Sequence, residues 1–311
     1  MTVQHQCNLI VDSCCDLPFE VIDRPGVQLV EFPYLMADGE HADDLYRSTT
    51  AHAFYEAMRT GQEPSTAQVP MAVYQETFTR AIESGVPTVY LSFSSGLSGS
   101  YDVAMLVRDQ LLAEHPDAEL YVVDTRLASV AEALLVYEAL RQRDAGMTAR
   151  ELVEWAEEAR FFVNAEFMVD DLEALRRGGR IPGSVAYAGA KLDVKPLLTI
   201  TPAGTLALAG VARGRKKGIK QLADYCMKRM AAAAPGREVV VGNADCAKDA
   251  DRLKEALAKG DDSLLFLESS IGPVIGSHVG PGMLAVVFWG VDKREELSVA
   301  DKIANRVRGR Q

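Results

Sequence analysis

Apolar positions recur along this chain in two alternating periods. Short strand-like runs sit at Asn8–Asp12, Val27–Phe32, Thr88–Phe93 and Leu120–Asp124. Between and after them, apolar residues spaced by three and four predict helices at Ala51–Arg59, Ala72–Ser84, Tyr101–Glu114 and Val130–Asp144. Strand and helix in alternation predict a parallel sheet with helices on its faces. Ligands of such sheets sit beyond the carboxyl ends of the strands. Asp12-Ser13, Ser94-Ser95 and Asp124-Thr125 all fall at those ends and are expected on one rim.

After Gly146-Met147-Thr148 the texture changes. Thr148 is the expected N-cap of a helix over Ala149–Arg160. Ala165–Val169 and Lys195–Thr201 read as extended, and Pro202-Ala203-Gly204 turns the second of these into Thr205–Val211 as a hairpin. A helix at Ile219–Ala232, a strand at Glu238–Asn243, a helix at Asp249–Lys259 and strands at Leu264–Glu268 and Leu284–Trp289 follow. The expected fold class is α/β with two domains. Residues 1–160 carry the parallel sheet, and residues 161–311 form a mixed α/β unit with antiparallel pairing.

Composition narrows the function. The 311 residues suffice for two cores, and a net charge of −11 argues against nucleic acid as a partner. The apolar stretch Met283–Val291 falls short of the roughly 20 residues of a membrane span. The polar start, Met1 to Gln6, does not resemble a signal peptide. Five cysteines without a Cys-x-x-Cys pair predict a reduced, cytoplasmic setting and no zinc site.

The richest candidate follows the strand at Thr88–Phe93. Ser94-Ser95-Gly96-Leu97-Ser98-Gly99-Ser100 leads straight into a helix, aiming backbone N–H groups, hydroxyls and the positive end of the helix at one point. An anion is expected at Ser98. Pro64-Ser65-Thr66-Ala67-Gln68-Val69-Pro70 precedes another helix, so Thr66 either caps it or points from a loop toward the same rim. In Arg176-Arg177-Gly178-Gly179-Arg180, the first two arginines read as helix-end residues, while Arg180 lies beyond the cap and suits a carboxylate or phosphate. Arg213-Gly214-Arg215-Lys216-Lys217 puts cations where a helix begins, which needs an acidic offset. His278, in the glycine-dense Gly276–Gly282, is expected in a loop that meets a ligand.

Two other functions compete. Ser98, Asp124 and His278 follow the chain order of an α/β-hydrolase triad, which makes a serine hydrolase of lipids or esters the alternative. The nucleophile elbow needs glycine two places after the serine, and Ser100 stands there. A sugar- or phosphate-binding module is the third reading.

Over nearly its whole length the chain resembles the DegV family. The resemblance rests on Asp12-Ser13 with Asp16-Leu17-Pro18, on Ser94 to Tyr101, on Arg177-Gly178-Gly179-Arg180-Ile181, on Lys195-Pro196 and on His278-Val279-Gly280-Pro281-Gly282. It implies a two-domain fold holding one long-chain fatty acid, with Thr66, Ser98 and the backbone near Gly99 on the carboxylate. Arg180 and His278 would stand close by or face the phosphorylation site. It implies no catalytic residue, metal or cofactor of the chain's own. The implied partner is a separate ATP-dependent fatty acid kinase, whose acyl phosphate product feeds phospholipid synthesis. One departure is visible. The family's usual Thr-Ser-Gln-Pro is here Thr66-Ala67-Gln68-Val69, with Pro70 one place late.

Overall fold

A computed structural model describes residues 5–181, 193–230 and 237–296. Residues 1–4, Pro182, the end of the helix expected at Ile219–Ala232 and the basic C-terminal tail lie outside the described residues. In chain order the first half runs β1 (Asn8–Asp12), α1 (Phe19–Ile22), β2 (Val27–Val30), β3 (Pro33–Met36), β4 (Gly39–Ala42), α2 (Ala51–Arg59), β5 (Ser65–Thr66) and α3 (Met71–Glu83). It continues through β6 (Thr88–Ser92), α4 (Ser100–Glu114), β7 (Leu120–Asp124), α5 (Val130–Asp144) and α6 (Ala149–Ala159). The second half comprises β8 (Val163–Met168), α7 (Glu173–Arg177), β9 (Val194–Ile200), β10 (Leu206–Arg213), α8 (Arg215–Arg229), β11 (Glu238–Asn243), α9 (Ala247–Ala258), β12 (Leu265–Ser270), α10 (Pro273–Val279) and β13 (Leu284–Trp289).

The first sheet has the order β2-β1-β6-β7 and is parallel throughout. Its inner strands β1 and β6 are almost entirely buried, as strands covered on both faces must be. Parallel pairing brings the ends of β1, β6 and β7 to one rim. There Asp12 accepts a bond from the Phe93 N–H at 2.8 Å, and the Thr125 hydroxyl donates to Ser92 O at 2.8 Å. The second sheet runs β10-β9-β8-β13-β11-β12, antiparallel except for β11 with β12.

Between the sheets lies α5, packed on β8, β11 and β13 on one side and on the turn after β1 on the other. Eleven of its residues are buried, including Glu132 and Glu138, so it is a core helix rather than a surface one. By contrast α6 is amphipathic and starts with a full capping box: Thr148 accepts from the Glu151 N–H, and the Glu151 carboxylate accepts from the Thr148 N–H.

Three expectations need correction. β2 stops at Val30, because the Phe32 N–H turns away to donate to Ser13 Oγ at 3.0 Å. The chain then forms a small antiparallel sheet, β4-β3-β5, which the apolar periodicity does not predict. Finally, α8 begins at Arg215 rather than Ile219. The cations of its first turn are offset by Asp170, 3.0 Å from Arg215, and by Asp249, which Arg215 also contacts.

Candidate functional site

Where the two sheets meet, α5 and α10 help to wall a cavity of about 190 Å³, well above the roughly 10–15 Å³ one water requires on the same measure. Its walls follow from strand periodicity. Alternate residues Ala165 and Phe167 of β8 face it, as do Ala285 and Val287 of β13, which pair with them in register. The intervening Met168, Leu284 and Val286 point the other way into a separate core under α8 and α9. Val274, Ile275 and Val279 of α10, Phe32, Phe93, Ile200, Leu206 and Met283 complete an apolar lining.

Polar groups gather at one place in this lining. Thr66, Gln68, Ser98, Gly99, Arg180 and His278 all border the cavity. Thr66 is not in a loop but on β5, whose pairing of Thr66 with Tyr34 fixes its direction. It does not cap α3 either, since Pro70 occupies that N-cap. Gly99 is the N-cap of α4, so the helix start faces the cavity. The Gln68 amide donates to Gly99 O at 3.0 Å and holds the two loops together. Val69, where the family's usual pattern has proline, donates its N–H to Ser100 Oγ at 3.3 Å, a bond proline lacks the proton to make.

His278 also differs from expectation. It belongs to the last turn of α10, not to a loop. Its Nε2 lies 2.8 Å from Thr66 Oγ1, while Nδ1 is buried without a partner. Burial, with Arg180 and Arg177 nearby, pushes the imidazole down to about 4, so it is neutral at physiological pH. A buried N–H without an acceptor costs more than a bare ring nitrogen. The proton therefore sits on Nε2 and is donated to Thr66, which leaves the threonine's own proton free for the cavity. Arg180 crosses from the second half to donate to Leu97 O at 3.2 Å and to Gly178 O, with its charge partly desolvated. Arg176 and Arg177 turn away to Glu173 and Glu63.

The hydrolase constellation is not assembled. The Asp124 carboxylate accepts from Ser95 N–H and Arg126 N–H, both at 3.1 Å, and from the Ser95 hydroxyl at 2.6 Å. It caps the turn after β6 and is not part of the cavity lining. The Ser98 hydroxyl meets Ser100 at 3.0 Å rather than an imidazole, so no base is placed to activate it. Among the described residues no cluster of His, Cys, Asp and Glu could hold a metal ion, and no helix is long and apolar enough to cross a membrane.

Fold and site together define an α/β protein with a buried apolar chamber and a hydroxyl-lined polar mouth. Residues 6–290 match the family model described as "Uncharacterised protein, DegV family". The chain belongs to the DegV family. A DegV domain-containing protein of Clostridium perfringens is 36% identical over 286 residues, 92% of this chain and 98% of the relative. A solved DegV family protein from Thermus thermophilus, described by its fatty acid binding, is 26% identical with a TM-score of 0.78, covering 92% of this chain and 100% of its own. The same fold occurs in the B3 protein of the Streptococcus pneumoniae fatty acid kinase, solved loaded with linoleic acid. It is 22% identical, with a TM-score of 0.79 over 92% of this chain and 100% of its own.

Proposed function

We propose that the chain is a lipid carrier that buries the tail of one long-chain fatty acid and presents its carboxylate to a separate ATP-dependent fatty acid kinase. The observation that carries this reading is the convergence of Thr66, Ser98, Gly99, Arg180 and His278 on one cavity whose remaining lining is nearly all apolar. The fatty acid binding for which the Thermus thermophilus relative is described supports it. Residues 1–160 supply Thr66 and Ser98 on this reading, and residues 161–311 supply Arg180 and His278 and close the chamber.

The division of labour follows from magnitudes. Burying a methylene contributes about 0.8 kcal/mol, so a tail of about sixteen carbons supplies on the order of 10 kcal/mol. A hydrogen bond to a charged group nets roughly 1.5–3 kcal/mol. The tail sets affinity; Thr66, Ser98 and the backbone near Gly99 set direction. Direction matters because the kinase needs a carboxylate oxygen at a fixed place. Hydroxyl donors hold the carboxylate without the strong ground-state clamp that a bidentate arginine imposes, and Arg180 is already committed to two carbonyls. The acyl phosphate formed by the kinase then feeds phospholipid synthesis. A cytoplasmic setting suits the five unpaired thiols and the ATP-dependent partner.

Mass spectrometry of an organic extract of the purified protein tests the reading. One long-chain fatty acid near equimolar amount is expected, converted to acyl phosphate when kinase and ATP are added. A protein that carries no acyl chain and takes up no added oleate would overturn it.

A further inference from the structure

The cavity lining holds one more polar side chain, and it lies away from the mouth. Ser129 borders the cavity at the start of α5. Its hydroxyl bonds to Asp16 Oδ2, and Asp16 Oδ1 accepts from the Gly272 N–H at 2.9 Å. Gly272 opens α10, whereas His278 belongs to its last turn. A helical rise of about 1.5 Å per residue sets the two about 9 Å apart. Ser129 therefore stands near one end of α10 and the Thr66–His278 pair at the other, with Val274 and Ile275 of the apolar lining between them.

Helix capping does not account for this serine. Ser129 is the N-cap of α5, yet its side chain makes no cap bond. Its backbone, at φ 55 and ψ −140, lies in a region that suits glycine and that other residues enter only under constraint. The constraint is visible: Ser129 N–H donates to Cys14 O at 2.8 Å, and Ser129 O accepts from the Ala133 N–H at 2.9 Å. Glycine would relieve the strain, but it would also remove the hydroxyl from this stretch of the cavity.

A serine hydroxyl offers one proton and two acceptor positions. The bond to Asp16 uses one of the three, whichever partner carries the shared proton. Ser129 thus keeps hydrogen-bonding capacity for the cavity. A plain alkyl chain lying over it leaves that capacity unused, whereas an oxygen on the chain fills it. A hydroxyl fits best, because it both donates and accepts. A second carboxylate does not fit. The charged groups that act on Asp16 and Glu132 are all acidic, Asp12, Asp43 and Asp124 among them, and they would repel it.

We propose that Ser129 is a specificity-determining residue of the tail chamber: with Asp16 behind it, Ser129 binds an uncharged hydroxyl at mid-chain, so that the carrier prefers hydroxylated fatty acids to plain ones of equal length. This rests on the carrier reading. With the carboxylate at Thr66 and Ser98, carbon–carbon bonds of about 1.5 Å in an extended chain bring roughly the seventh to tenth carbon beside Ser129.

Displacement of a fluorescent fatty acid from the full chain compares stearate with stearates hydroxylated at carbon two, at carbon ten and at the methyl end. Wild type should bind the carbon-ten form roughly three- to tenfold more tightly than stearate, and the other two no more tightly than stearate. Ser129→Ala and Ser129→Gly both remove the hydroxyl, and the glycine also adopts this backbone freely, which keeps the fold. Both variants should reverse the order, because the hydroxyl of the carbon-ten form is then buried unpaired. A general loss of packing weakens both ligands alike and leaves their ratio unmoved. Wild type that binds the carbon-ten form no better than stearate would overturn the inference alone, as would an equal ratio in wild type and both variants. No displacement by any of the four acids would overturn the carrier reading, and this inference with it.

Discussion

The hydroxyl of Thr66 and Nε2 of His278 lie 2.8 Å apart although 212 positions separate them in sequence. One sits on a two-residue strand of the small sheet, the other on the last turn of α10. Their bond closes the polar mouth of the cavity across the two halves of the chain, and it leaves the Thr66 proton for a ligand.

Loss of the imidazole should therefore be felt as loss of ligand. His278→Ala is expected to weaken oleate binding by about tenfold, near the 1.5 kcal/mol of a charge-assisted bond that Thr66 no longer directs well. His278→Gln, which can still donate to Thr66, should recover part of it. Equal affinity of wild type and His278→Ala in a displacement assay would contradict this.

Gly178 makes room for the same ring: a Cβ there would run into His278 Nδ1. Its backbone is helical, with φ −72 and ψ −11, so alanine adds no backbone strain. Gly178→Ala should reproduce the binding loss of His278→Ala while the thermal midpoint moves by only a few degrees. A large fall in the midpoint with binding intact would refute the assignment. Gly276 has a different duty. A Cβ there would lie 2.6 Å from the Tyr55 hydroxyl and 2.8 Å from a ring carbon of Phe54, so this glycine seats α10 on α2.

The chamber exists because its strands place alanines opposite larger residues. Ala165 and Ala285 face it, paired in register with Val287 and Phe167. Ala285→Leu or Ala165→Leu should shorten the accepted acyl chain by several carbons, read directly from the mass of the extracted ligand. An unchanged ligand profile in both variants would place the tail elsewhere.

Buried carboxylates set the pH response of stability. Burial pushes Asp12 and Asp43 up to about 7, and pushes Asp16 and Glu132 well above the usual range. Raised acids hold protons in the folded state that the unfolded chain releases near pH 4. Their contribution is complete below about pH 4 and is lost as pH rises, by about pH 7 for Asp12 and Asp43 and higher for the other two. His278 acts oppositely, stabilising above about pH 6.5 and losing that effect as pH falls toward 4. The four carboxylates outnumber it, so urea midpoints should fall between about pH 5 and about pH 8. Both oxygens of Glu132 lack hydrogen-bond partners. Glu132→Gln should raise the midpoint at the higher pH and barely move it at the lower. A wild-type midpoint that rises across this interval would contradict the assignment.

Much of this was legible in the sequence because long elements declare themselves by period. β1, β7, α2, α5, β11 and β13 occupy the expected residues, and Thr148 caps α6 as its chemistry predicts. The β3-β4-β5 sheet escaped because its strands are short and half polar. The turn at Ala37-Asp38, closed by Gly39 with φ +135, carries an Asp-Gly pair that signals a hairpin. Three glycines within Gly276–Gly282 predict a loop where α10 stands, yet Pro273 at its first turn is a helix-start signal. Thr66, Ser98, Arg180 and His278 were legible one by one through their local motifs. Their meeting depends on contacts between distant segments, which no local pattern encodes.

A crystal structure of the protein with oleate bound tests the central claim most directly. The account predicts the tail along Phe167, Ile275 and Ala285, and a carboxylate oxygen within about 2.6–3.2 Å of both Thr66 Oγ1 and Ser98 Oγ. A ligand lying with its carboxylate away from these hydroxyls, or a cavity that stays empty with oleate bound elsewhere, would contradict it.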